Sequence, residues 1–308
     1  MIAGCNQSVI LRFDFEMRKV RDMLINSFIH IPGVGAVTEK RLWTAGLLDW
    51  HQVGSVDACD IPARSLMRIA ACMAESCEHL DKNNPAYFAD HLPAGEHWRF
   101  FPQFRKTTAF MDIETTGMDM FGSEITTIAL YDGESINYYV QGQNLDAFME
   151  DIGRYNVIVT YNGKTFDVPF IEKYFGIEMA HAHIDLRYVL KSLGYGGGLK
   201  MCEKALGLDR GDLDGVDGFF AVLLWREFQQ TGNIKALETL LAYNIEDVVN
   251  LETLMVLAYN MKLKDTPFSR THALPMPGIP DIPFKPDRST IERIRQKFQV
   301  NFFQDMDR

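Results

Sequence analysis

The 308-residue chain reads as an α/β protein: a mixed sheet flanked by helices, preceded by a small all-helical module. Three observations predict this. Strand-like runs in the middle of the chain follow one another with hairpin-length links, as an antiparallel meander does. After them, strand and helix patterns alternate, as in a sheet with helices on both faces. The N-terminal part carries apolar helical segments interrupted by a glycine turn and has no strand pattern.

The expected organisation is a helical module over residues 1–81, a connector over 82–105, an α/β domain over 106–262 and a tail over 263–308. The connector, KNNPAYFADHLPAGEHWRFFPQF, is punctuated by Pro85, Pro93, Gly95 and Pro102 and is rich in aromatics that suit packing against a neighbour. Within the α/β domain, TTAFMDI, EITTIALYD and SINYYVQ read as strands, with an Asp132-Gly133 turn between the last two. NLDAFMEDIGRY reads as a helix capped by Asn144, and NVIVTYN as a β-branched buried strand. FDVPFIEKYFG reads as a helix with Pro169 in its first turn and Gly176 at its end. AHIDLRYV is strand-like; LKMCEKALGL, GFFAVLLWREFQQTG and the long IKALETLLAYNIEDVVNLETLMVLAYNMKL are helical. The prolines of 264–287 exclude helix and central strand. STIERIRQKFQVNFFQ then predicts a short amphipathic helix with a Ser–Thr cap.

Composition excludes several classes. Hydrophobic residues make up 47% and charged residues 23%, ordinary for a soluble globular protein. No apolar run is long enough to span a membrane. The N-terminus lacks the layout of a signal peptide, and five Cys without framework spacing fit a reducing cytoplasm. Cys59, Cys72, Cys77 and His79 lack zinc-site spacing and read as side chains packed on a helix. The net charge is −10, all of it carried beyond residue 110, since residues 1–110 hold 12 Lys+Arg and 12 Asp+Glu. Such a balance is not the usual footprint of a nucleic-acid binder. Carboxylates gathered around divalent cations resolve that conflict, because bound cations invert the local sign.

The carboxylates are arranged as such a site needs. Asp112 and Glu114 are two apart at the end of the first strand, so both point to one face. Like charges there repel and are costly to desolvate. Asp167, in YNGKTFD, follows the fourth strand at a helix start. Asp247 lies in the late helix, one turn after Tyr243, so those two share a face. Strand ends and helix starts on one edge of an α/β sheet converge on one crevice. Hard, oxygen-preferring cations such as Mg²⁺ or Mn²⁺ neutralise that convergence. Taken singly, each residue has a plain alternative: a solvated strand end, a helix cap, a surface pair.

The set Asp112-Ile113-Glu114, Asn162…Phe166-Asp167 and Tyr243…Asp247 resembles the DEDD 3′–5′ exonucleases of the tyrosine-bearing subclass, which have an RNase H-like fold. YNGKTFDVPFI also resembles the second exonuclease motif of family-B DNA polymerases. GGLKMCEKALGL, an acidic loop and LLAYNIEDVVNL are similar to a group of predicted prokaryotic RNase H-like exonucleases. The resemblance covers about 106–262 and implies an RNase H-like mixed sheet and a two-metal phosphodiester hydrolase. It implies that Asp112 bridges two divalent cations, Mg²⁺ or Mn²⁺. Glu114 and Asp247 complete the water-activating cation, and Asp167 holds the second. Tyr243 orients the water, since a phenol with a pKa of ~10 is a poor base at neutral pH. Asn162 either contacts a terminal nucleotide or serves the turn. Asp185 reads as a satisfied polar residue ahead of an acid supporting the site, Lys164 and Lys200 as solvated side chains ahead of phosphate contacts, and DRGDLDGVDG (209–218), which lacks a calcium loop's spacing and terminal glutamate, as a solvated acidic turn.

PGVG, within SFIHIPGVGAVTEKRLWTAGL (27–47), resembles the helix-hairpin-helix motif of DNA-binding proteins. Gly33 and Gly35 let the backbone turn tightly and aim N–H groups outward, and the next helix adds its positive end. That forms a phosphate cradle without sequence readout, to which Lys40 and Arg41 add charge. The plain alternative is an αα-hairpin packed on its neighbour. The expected function is therefore a cytoplasmic, metal-dependent 3′–5′ exonuclease acting on nucleic acid, DNA slightly ahead of RNA, with no membrane partner. The competing expectations are a catalytically silent nucleic-acid-binding module and a structure-specific endonuclease.

Overall fold

A computed structural model describes residues 23–53, 63–213 and 215–306. These form two compact units. One comprises the chain up to Lys106 with Tyr188–Leu193 and Met255–Met276; the other comprises Thr107–Arg187, Gly194–Leu254 and Pro277–Arg308.

In the first unit, helices α1 (Ala36–Thr44), α2 (Ala63–Asp81), α3 (Pro85–His91) and α4 (Phe101–Phe104) are joined by turns. The PGVG turn precedes α1. Gly33 has φ of 83°, the left-handed region that glycine enters without strain. Gly35 is extended and stands at the N-cap of α1. Before the PGVG turn lies a 3₁₀ turn, Leu24–Asn26, and residues 27–31 form no helix, so the helical segment expected directly before PGVG is absent there. Glu39, 1% exposed, ties this segment down. Its carboxylate accepts the N–H groups of Phe28 (2.7 Å) and Ile29 (3.2 Å) and two bonds from Arg99 (3.1 and 2.9 Å). The 82–105 stretch is mostly helical turns that bury Phe88, Trp98, Phe100, Phe101 and Phe104. Cys72 and Cys77 are half-buried on α2, and His79 stacks on Tyr87 with 4.1 Å between ring centres. Cys59 lies outside the described residues.

The second unit is built on a five-stranded sheet ordered β3-β2-β1-β4-β5. The strands are β1 (Thr108–Thr115), β2 (Ile125–Tyr131), β3 (Ile136–Val140), β4 (Val157–Thr160) and β5 (Ala182–Asp185). β1 and β2, and β2 and β3, pair antiparallel; β4 pairs parallel with β1 and with β5. This is the expected mixed sheet flanked by helices, of RNase H-like form. Helices α5 (Phe148–Ile152), α6 (Asp167–Phe175), α7 (Leu186–Ser192), α8 (Leu199–Ala205), α9 (Gly218–Thr231), α10 (Ile234–Leu263) and α11 (Arg288–Met306) complete the described elements. The sheet face bearing Ala109, Met111 and Ile113 packs with Phe148, Ile152, Phe170 and Ile171. Burial of each large side chain there is worth about 1.5–3 kcal/mol. The opposite face of β1 carries Phe110, Asp112 and Glu114. The β1–β2 register slips between Glu114 and Thr115, which ends the regular ladder beside the two acids.

Several elements differ from the expectation, each for a local reason. β5 stops at Asp185 instead of running through AHIDLRYV, because the Asp185 carboxylate accepts the Arg187 N–H at 3.0 Å and starts α7. Asn144 does not cap a helix with its side chain; its amide accepts from Val140 N–H (2.8 Å) and donates to Tyr138 C=O (3.0 Å), and a 3₁₀ turn precedes α5. α11 is 19 residues long, and its cap is Asp287, which accepts the Thr290 N–H at 2.8 Å. Gly176 and Gly232 end α6 and α9 in left-handed conformation. No helix among the described residues is long and apolar enough to cross a membrane.

Candidate active site

α10 is 30 residues long and apolar almost all round; its part through Leu254 belongs to the sheet unit. Such a helix is buried. Its buried polar residues Asn244 and Asp247 therefore require partners. Those partners are at the end of β1. Asn244 Nδ2 donates to Asp112 Oδ2 at 2.7 Å, and Asn244 Oδ1 accepts from Thr127 Oγ1 of β2 at 3.0 Å.

Asp112, Glu114 and Asp247 each offer a carboxylate oxygen within 4.8 Å of the others. Glu114 and Asp247 are buried, and Asp112 is more open. Burial raises the Asp112 carboxyl well above its ordinary value, reinforced by the charges of Asp167, Asp247 and Glu114. Burial and Asp247 do the same to Glu114. Asp247 is raised by burial, with Arg210 acting against the shift. Asp167 stands outside this triad: its Oδ1 accepts the Ile113 N–H at 3.2 Å. Burial nevertheless pushes it up to about 7. An all-oxygen donor set in which crowding and burial make the charges costly fits a hard divalent cation, which compensates them.

Tyr243 is 3% exposed, one helical turn before Asp247. Burial and the charges of Asp247, Glu114 and Asp112 push its phenol up, so it stays protonated. Lys200 Nζ lies 4.6 Å from its ring centre and Arg210 Cζ 5.8 Å. Lys200 is not simply solvated: its ammonium donates to the Val216 carbonyl, and burial lowers its pKa.

The segment reaching Asp167 is shaped around Asp185. That carboxylate accepts N–H groups of Asn162 (2.8 Å), Lys164 (3.2 Å) and Arg187 (3.0 Å). Asn162 sits at φ 67°, and its side-chain oxygen accepts from Thr165 Oγ1 (2.9 Å) and from Arg187. The structure thus engages the Asn162 amide in the turn. Gly163 has no room for a side chain: a Cβ there would stand 2.3 Å from Thr160 Oγ1. Gly33, Gly35, Lys40 and Arg41 lie in the other unit, with both cations exposed on α1.

The sequence reasoning missed Asn244, Glu203 and Arg210. Asn244 had a signal, a polar residue at a buried position of an apolar helix. Arg210 is the lone cation of a loop taken as a solvated acidic turn. That loop in fact buries Arg210, Leu213 and Val216, and Asp217 caps α9 through the Phe220 N–H at 2.8 Å.

A family model described as RNase H superfamily matches residues 109–259. Over these residues the mixed sheet and its flanking helices have an RNase H-like fold. The match spans β1 through most of α10 and so includes Asp112, Glu114, Asp167, Tyr243 and Asp247. It agrees with the DEDD-type resemblance carried by the three motifs. Among solved structures, the chain is similar to the family B DNA polymerase of Pyrobaculum calidifontis, at 15% identity and a TM-score of 0.38. That alignment covers 55% of this chain and 27% of the polymerase chain. Brucella melitensis NrnC with bound Mg²⁺ aligns at 14% identity and a TM-score of 0.36, over 66% of this chain and 89% of NrnC. NrnC bound to pGG aligns at 12% identity and a TM-score of 0.37, over 66% and 88%. No curated protein sequence matches the chain.

Proposed function

We propose that this chain is a metal-dependent 3′–5′ exonuclease that hydrolyses phosphodiester bonds of nucleic acid. The observation that carries the reading is the convergence of Asp112, Glu114 and Asp247 oxygens within 4.8 Å, with Tyr243 one turn from Asp247. Two divalent cations, Mg²⁺ or Mn²⁺, supply a water of lowered pKa and stabilise the leaving oxygen when bound. Asp112, Glu114 and Asp247 would hold the first cation, and Asp112 and Asp167 would serve the second. Asn244 keeps the Asp112 carboxylate turned to the site through its 2.7 Å bond. Tyr243, protonated, orients the attacking water by hydrogen bonding instead of removing its proton. The buried walls, including Glu114 and Tyr243, exclude bulk water and strengthen these interactions.

In the other unit, Gly33 at φ 83°, Gly35 at the start of α1, and exposed Lys40 and Arg41 suit sequence-independent contact with a phosphate backbone. The resemblance of this turn to the helix-hairpin-helix motif of DNA-binding proteins favours DNA slightly over RNA as the polymer.

The experiment is degradation of 3′-labelled and 5′-labelled single-stranded DNA and RNA with Mn²⁺, Mg²⁺ or EDTA. Metal-dependent release of 3′ mononucleotides, with a ladder from the 5′ label, is expected. Cleavage of a circular single strand points to an endonuclease instead. Absence of release with every metal from folded protein overturns the reading in favour of a binding module.

A further inference from the structure

Arg210 is 9% exposed, and its guanidinium is held between two carboxylates, Glu203 and Asp247. Its Nε pairs with Glu203 Oε2 at 2.6 Å. Glu203, itself 1% exposed, is fixed by Asn250 of α10, whose Nδ2 donates to Oε1 at 2.9 Å. With Nε anchored, Nη1 and Nη2 are left on the site side, where Nη1 lies 2.5 Å from Asp247 Oδ1. Nη1 is thereby taken up by Asp247, and Nη2 has no acceptor among the described residues. Burial by itself lowers the pKa of Arg210, but Asp247 and Glu203 more than offset this and keep it charged. A buried donor without an acceptor costs free energy, and Nη2, beside acids that would hold a divalent cation, is placed to meet an oxygen of the phosphate such a cation draws in.

We infer that Arg210 is a substrate-contacting residue: its Nη2 binds a non-bridging oxygen of the phosphate being processed, while Nε stays on Glu203 and Nη1 on Asp247. The inference rests on the nuclease reading above. Arginine suits the task because its rigid planar fork can hold two carboxylates and still present a donor to the phosphate in a fixed direction. The anchor through Glu203 and Asn250 holds the charge in place before substrate arrives, which is the condition for electrostatic stabilisation without reorganisation. The 5.8 Å distance between Cζ and the Tyr243 ring puts the guanidinium beside the residue assigned to the water. A purely structural role, pinning the 209–217 loop to α8 and α10, is the competing explanation. It predicts loss of thermal stability and nothing specific to phosphate.

The test is equilibrium binding of thymidine 5′-monophosphate and of thymidine to the full chain in Mn²⁺, with melting of each variant as control. The wild type is expected to bind the monophosphate at least tenfold more tightly than the nucleoside. Arg210→Lys keeps the charge and the fold; it is expected to lose most of that ratio while thymidine binding stays the same. Arg210→Met is expected to abolish the ratio and to melt lower. A Lys variant with the full ratio overturns the inference, and does so whether or not the Met variant folds. A wild type that hydrolyses 3′ ends yet shows no phosphate-dependent binding sinks Arg210 alone. A wild type that neither hydrolyses nor discriminates sinks the nuclease reading and Arg210 with it.

Discussion

Asn244 donates to the Asp112 carboxylate at 2.7 Å, across 132 residues of chain. Its other amide atom is held by Thr127. The acid at the end of β1 is therefore oriented by the residue next to Tyr243. Asn244→Ala removes that bond and leaves Thr127 without its acceptor. Hydrogen bonds to a charged group are worth about 1.5–3 kcal/mol, so a fall of roughly tenfold or more in Mn²⁺ affinity is expected. Titration calorimetry with Mn²⁺ measures it; unchanged affinity shows that Asp112 needs no such support.

Asp112→Asn is expected to abolish nuclease activity and to leave the fold intact. Removing one of several crowded charges relieves repulsion, so the metal-free variant should melt no lower than wild type at pH 8. An active Asp112→Asn protein contradicts the site assignment. A variant that unfolds shows instead that the carboxylate is structural.

The metal-free protein should lose stability as pH rises. Asp167 titrates near 7 when folded, against an ordinary value of 3.8. Between those values the folded state holds a proton that the unfolded chain has released, so unfolding becomes easier as pH increases and the effect is complete above about pH 7. Asp112, Glu114 and Asp247 shift in the same direction. Stabilisation by Mn²⁺ should consequently be larger at pH 8 than at pH 5.5. Melting curves at both values, with and without Mn²⁺, decide this; an equal metal effect at both removes the link between charge crowding and metal binding.

Gly163→Ala should cost activity out of proportion to its size. The added Cβ would approach Thr160 Oγ1 to 2.3 Å, so the turn carrying Asn162 must shift and take the start of α6, with Asp167, along. Circular dichroism close to wild type with a large drop in nuclease rate is the expected pair of results. A fully active variant would mean that the turn tolerates the shift.

Gly33→Val should weaken nucleic-acid binding more than turnover. The position has φ of 83°, which a β-branched residue adopts only with strain, so the turn before α1 is distorted; the Arg68 tip, 2.6 Å from the new Cβ, must also swing away. Replacing both Lys40 and Arg41 with Ala should lower the salt dependence of binding by about 2 in the slope of log K against log salt. Binding curves at several salt concentrations test both; identical slopes would reduce this segment to a packing role.

The local part of this protein was legible in its residues. Strand-like runs with hairpin-length links marked β1 to β3, β-branched residues marked β4, Gly176 marked the end of α6, and the one-turn spacing of Tyr243 and Asp247 needed only helix geometry. The acids were found because a strand period of two and a helix period near four are properties of short stretches. AHIDLRYV was misjudged because the Asp185 carboxylate bonds the Arg187 N–H and starts a helix where the apolar pattern still suited a strand. Tertiary structure alone decided what each acid touches. It turned Asp167 onto the Ile113 N–H, 54 residues away, brought Asn244 to Asp112, and folded an acidic loop inward so that Arg210 met Asp247. Such pairings join elements distant in the chain and depend on how the sheet stacks against α10. Charge and burial then act together there, and neither quantity is a property of a residue until the chain around it has closed.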